Sequence, residues 1–163
     1  PCAVAVIKEY ANKVYRKVLV PISGGPNGGL AMEIGSIIAS QFGGKITLLA
    51  VSQNQPSKNK KKKRLLPRKE FNLSTFLGKN KHRLHIPVEN VSIRSIVSKE
   101  KTADIIVKES KAYDMVVMGC SYETLLKRNI TGIIPERVAD SITIPLIMVK
   151  AQNPMKSLFR RWF

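Results

Sequence analysis

The chain has 163 residues, 44% of them hydrophobic, and 28 Lys and Arg against 11 Asp and Glu give it a formal net charge of +17. This composition excludes a disordered polymer, the length suits one ordinary domain, and no apolar run approaches the roughly 18–20 residues that cross a bilayer. Two cysteines, Cys2 and Cys120, exclude a disulfide framework and fit a reducing, cytoplasmic setting, while the charge favours phosphate-bearing partners, on nucleic acid or on an anionic membrane face.

In chain order, residues 1–16 stand ahead of the repeating pattern. Their "CAVAVIKE" reads as an apolar strand and resembles the chain's own "PLIMVKA" near the other end, with a proline ahead of each. The expectation is a strand or linker that closes a preceding copy of the same fold, in a piece cut from something larger; a disordered leader is the plainer alternative. "KVLVPI" (17–22) reads as a buried strand. A helix follows in "GGPNGGLAMEIGSIIASQFGG", with Pro26 in its first turn, Leu30, Ile34, Ile37, Ile38 and Phe42 at helical spacing, and Gly43 and Gly44 as its stop. "KITLLAV" (45–51) is the next strand. A basic stretch interrupts, then a short helix around "KEFNLSTFLG". "VENVSIRSIV" (88–97) alternates as a strand, Ser98 is placed to cap a helix in "KEKTADIIVKESKA", "YDMVVMG" is a fourth strand, "GIIPERVADSI" a helix and "IPLIMVK" the last strand. Strands alternating with helices predict an α/β fold: an open five-stranded parallel sheet, helices on both faces, plus the extra N-terminal strand. Ligands of such sheets sit beyond the carboxyl ends of the strands, where "PISGG" and "MGCSY" lie.

The segment 119–133, "GCSYETLLKRNITGI", joins the fourth strand to the last helix. Glycines in such a loop let backbone N–H groups approach an anion, and the following helix adds the positive end of its dipole. With the flanking "DMVVMG" and "PERVADSITIPLIMV", this loop resembles that of universal stress protein domains, and the likeness runs over 17–150. The family pattern is G-x2-G-x9-G-(S/T); here the spacing is kept by Gly119, Tyr122, Gly132 and Ile133, so Tyr122 replaces a glycine and Ile133 a hydroxyl residue. Ser23 stands where an acidic residue is usual after the first strand. The resemblance implies a Rossmann-like fold that dimerises by pairing last strands, here 145–149. It also implies an adenine nucleotide, ATP, AMP or a cyclic dinucleotide, held near Ser23, Gly24, Gly25, Val51, Gly119, Ser121, Gly132 and Ile133. Lys127 and Arg128 could meet phosphate by charge, though solvated surface is the plainer reading.

No catalytic set accompanies the loop. His82 and His85 lack further ligands at metal-binding spacing and read as surface histidines, Asp114 and Asp140 as structural, Cys120 as an inert thiol, and Ser121 has no adjacent base. The run 57–69, "SKNKKKKRLLPRK", holds eight basic residues and no acidic one, including Lys60, Lys61, Lys62, Lys63 and Arg64. Like charges at that density repel, so it reads as an exposed loop. The sharper readings are contact with anionic lipid or with nucleic acid, and the absence of aromatics within the run weakens the second. The tail 152–163, "NPMKSLFRRWF" and its preceding residue, interleaves Arg160, Arg161 and Trp162 with apolar side chains, as an interfacial segment does against anionic lipid; packing back on the domain or on a partner is the equal alternative. The sum of these readings is a unit over 17–151 acting as a non-enzymatic regulatory module. It resembles the universal stress domains attached to amino-acid permeases, chloride channels and cation/proton antiporters at the cytoplasmic face of the membrane. A stand-alone ATP-binding stress protein with weak ATPase activity and a basic nucleic-acid-binding protein are the alternatives.

Overall fold

The computed structural model describes residues 4–8, 14–53, 71–120 and 134–151. Ten regular elements follow in order: β1 (Val4–Lys8), β2 (Lys17–Pro21), α1 (Gly28–Gln41), β3 (Lys45–Gln53), α2 (Leu73–Asn80), β4 (Val91–Ser98), α3 (Thr102–Ser110), β5 (Met115–Gly119), α4 (Ile134–Ser141) and β6 (Leu146–Lys150). Short 3-10 turns occupy Lys81–Arg83 and Val88–Asn90. The strands form one six-stranded sheet in the order β1-β6-β5-β2-β3-β4. β2 to β6 run parallel, and β1 is antiparallel to β6.

The continuous apolar runs of β2 and β5 put them at the centre, where both faces are covered. Val18, Val20 and Val117 pack with Ala31 and Met32 of α1 on one face. Leu19 and Val116 pack with Ile106 of α3 and Val138 of α4 on the other. Val18, Leu19, Val20, Val116 and Val117 are fully buried, each contributing about 1.5–3 kcal/mol of apolar transfer. Asp114, just before β5, accepts from the backbone N–H groups of Arg16 (2.9 Å) and Lys17 (2.7 Å), so its role is to pin the start of β2 to the start of β5.

Among the expected boundaries that move, three have a local cause. Pro26 lies in a turn ahead of α1 rather than in its first turn, because the chain must first clear the end of β5, and Asn27 becomes the N-cap residue. Ser98 is the last residue of β4, held in register opposite Gln53, so it cannot cap a helix. Its Oγ instead accepts from the N–H of Glu100 (3.1 Å), and α3 starts three residues later behind Lys101. Val88, after Pro87, opens a 3-10 turn, and β4 begins at Val91. The glycine stop of α1 is as expected: the N–H of Gly43 bonds the carbonyl of Ser40 (3.3 Å) and that of Gly44 the carbonyl of Ala39 (2.8 Å), a Schellman closure.

The N-terminal strand changes the sheet's edge. Within the chain, β1 pairs along the whole of β6, from Val4 opposite Lys150 to Lys8 opposite Leu146. The Lys8 ammonium donates to the carbonyls of Ala139 (2.9 Å) and Ile142 (3.3 Å) at the C-terminal end of α4, where a cation is favoured. The expected pairing edge at 145–149 is therefore an interior position here, flanked by β5 and β1.

Candidate functional site

At the carboxyl ends of β2, β3 and β5 the sheet opens into a cavity of about 430 Å³. Its walls are apolar, with Ile22, Leu49 and Val51 from the β2 and β3 side, Ile106 from α3, and Met118 and Pro135 across from them. Ser23 and Thr102 add hydroxyls, and the turn from Gly25 to Gly28 brings the N-terminal end of α1 to the rim. Among the described lining residues there is no carboxylate. An apolar slot with a few polar groups at one side suits a planar ring carrying a polar or anionic tail.

Two glycines shape the backbone around this cavity. The turn after β2 passes through Gly24 at φ +78, and a Cβ there would sit 2.9 Å from a ring carbon of Phe71. Phe71 in turn packs edge-on to Phe76, with centroids 5.7 Å apart. The aromatic pair just after the basic run thus braces the turn. At the other wall, a Cβ on Gly119 would stand 2.8 Å from the carbonyl carbon and oxygen of Asn27. Gly119 is small because the start of α1 lies against it. That packing requirement exists whether or not an anion binds.

Asn27 is the residue that sequence reasoning missed. Only 7% exposed, it donates its side-chain amide to the carbonyl of Cys120 and accepts at Oδ1 from the N–H of Ala151 (2.9 Å). One side chain ties α1 to the ends of both β5 and β6. Its position directly before a helix suggests an ordinary cap, yet it makes no side-chain cap bond, so nothing local in the sequence signals the bridge.

Cys120 lines the same cavity and is buried. Burial pushes its thiol pKa up, partly offset by the nearby Lys150 ammonium. In the unfolded chain an ordinary thiol ionises near pH 8.5. As pH rises, the unfolded state therefore loses its proton first, so the stability tied to the neutral thiol is present below that pH and is lost as pH climbs toward the raised folded value. Urea titrations from pH 7 to 10 should show the difference between the unaltered chain and Cys120→Ala shifting against the unaltered chain above about pH 8.5. A constant difference across the range would contradict the burial effect.

Of the expected site residues, Ser23, Gly25, Val51 and Gly119 surround the cavity, and Gly24 shapes the turn beside it without lining it. Ser121, Tyr122, Lys127, Arg128, Gly132 and Ile133 lie outside the described residues, as do Cys2, the run 57–69 with Lys60 to Arg64, and Arg160, Arg161 and Trp162 of the tail. His82 and His85 are exposed. Among the described residues no three His, Cys, Asp or Glu gather as a metal site, and no helix is long and apolar enough to cross a membrane.

The family model described as "Universal stress protein family" matches residues 14–150. The chain belongs to the universal stress protein family. No match is found among curated protein sequences. Solved structures of universal stress proteins share its fold. One, in complex with cAMP, has a TM-score of 0.65 at 16% identity, covering 86% of this chain and 100% of that one. A second, from Archaeoglobus fulgidus in complex with dAMP, has a TM-score of 0.54 at 14% identity, covering 85% and 100%. A third, from Archaeoglobus fulgidus DSM 4304, has a TM-score of 0.59 at 16% identity, covering 92% of this chain but 50% of that one. Relative to the universal stress fold, the family match starts at residue 14, so β1 lies outside the matched unit.

Proposed function

We propose that this universal stress domain is a non-enzymatic regulatory module that senses an adenine nucleotide, serving a membrane transport protein from the cytoplasmic face. The observation that supports the sensing is the apolar cavity at the strand ends, lined by Val51 among its apolar walls and by Ser23, Gly25 and the start of α1 as its polar side. Stress-family structures carrying cAMP and dAMP support the choice of ligand class. The substitutions Tyr122 and Ile133 in the glycine loop and the lack of a paired acid and base favour binding over turnover. The transporter attachment rests on sequence: the basic run 57–69, the basic–aromatic tail and the likeness to transporter-attached domains.

Regulation here is coupling. A nucleotide that prefers one arrangement of this domain biases whatever is joined to it, by no more than its difference in affinity for the two arrangements. Calorimetry with AMP, ATP and a cyclic dinucleotide tests the binding half. At least one should bind with a Kd at or below the millimolar range, and Val51→Trp, which fills the slot, should weaken it at least tenfold while the thermal melt stays cooperative. No heat from any of the three at millimolar concentration would sink the sensing. A stand-alone stress protein that binds ATP is the second reading, supported by solved stress proteins that this chain covers over their full length. An open reading frame free of membrane spans, with ATP turnover in the purified protein, would select it.

A further inference from the structure

β1 has the sequence of an interior strand and the surroundings of an edge. Its "VAVIK" is the kind of run that a sheet buries on both faces, yet Val6 is 51% and Ile7 59% exposed. Successive side chains of a strand point to opposite faces. Apolar surface is thus left open on both sides of the sheet at this one place.

The register shows what β1 stands in for. Val6 faces Met148 in the middle of the ladder, Ile7 faces Ile147 and Ala5 faces Val149. When "VIK" (6–8) is laid on "MVK" (148–150), Val6 becomes the equivalent of Met148, and Ile7 that of Val149. Each residue then opposes the counterpart of its own opposite number, with a two-fold axis through the Val6–Met148 pair. That is the pairing of two like strands from two like units. The third solved stress protein is consistent in size, since this chain matches 92% of itself to only 50% of that longer chain.

We propose that β1 is the closing strand of a second universal stress unit that precedes residue 1 in the same polypeptide, and that Val6 and Ile7 are the uncovered remainder of the joint between the two units. Chain direction decides between a neighbour in the same polypeptide and a separate chain. A last strand ends its own unit, so the body belonging to β1 must lie before it. A separate chain would bring its own last strand and compete with β1 for β6. The inference is independent of the nucleotide reading.

The test begins with the coding sequence upstream of Pro1. It should specify about 100–150 residues, one domain's length, of alternating strand and helix pattern running into residue 1. In that longer protein, Ile7→Asp should lower the melting temperature by about 5 °C or more, because the side chain is buried there. In the 163-residue chain the same change should shift it by less than about 1 °C, because Ile7 is already open to solvent. Hydrogen exchange of β1 in the unaltered longer protein gives a second readout, with protection expected to rise above that of the 163-residue chain. An upstream segment shorter than a domain, membrane spans running directly into Pro1, or Ile7→Asp acting alike in both proteins would overturn the proposal. Membrane spans at that place would still support the transporter reading, and a preceding unit without spans before it would do the reverse, so the two proposals fail separately.

Discussion

Gly119→Ala should destabilise the protein by about 2–3 kcal/mol, seen as a melting temperature lower by about 5–10 °C. The new methyl would lie 2.8 Å from the main-chain carbon and oxygen of Asn27. These are backbone atoms at the start of a 14-residue helix, so relief requires α1 to move away from β5 as a body. Gly119 also lines the cavity, and the same displacement should widen it and weaken nucleotide binding. A melt unchanged to within a degree would mean that Gly119 is small for some other reason, with the phosphate role of the family loop the first candidate.

The second large effect is expected at Asn27. Replacing it by Ala leaves the carbonyl of Cys120 and the N–H of Ala151 without the partners they now have. Orphaning a buried backbone group costs about 1–3 kcal/mol. The total should come to about 3 kcal/mol, less if water enters the space that the amide vacates. Urea unfolding with an unchanged m-value would locate the loss in the folded state. A loss under about 0.5 kcal/mol, the size of an ordinary surface substitution, would show that the bridge adds nothing.

The two sites are neighbours, so their effects should not simply add. They also mark the boundary of what the sequence could reveal. The strands 17–21, 115–119 and 146–150 were legible because unbroken apolar runs of that length must be buried on both faces. α1 was legible from its helical spacing and its glycine stop. The start of α3 was misjudged because Ser98, an excellent cap by type, was already committed to the ladder with β3. The partner of β1 was not legible, since pairing across more than 130 residues leaves no local trace. At the cavity, Ser23, Gly25, Val51 and Gly119 could be named from the family pattern, whereas Asn27 and Phe71 could not. Their roles depend on which backbone a distant part of the chain delivers to them, and neither residue type advertises a bridge or a brace. Gly119 carries the sharper lesson: a glycine suited to a phosphate loop is also the residue demanded by a helix packed against a strand end.

The Asn27 bridge has a mechanical consequence. The rim turn, the fourth parallel strand and the last strand converge on a single amide, and the last strand is in turn laced to β1. The cavity mouth and the far border of the sheet are therefore two steps apart: one side-chain amide, then the main-chain ladder from β6 to β1. A molecule seated at one end of this domain would have a short linkage to anything joined at its flank.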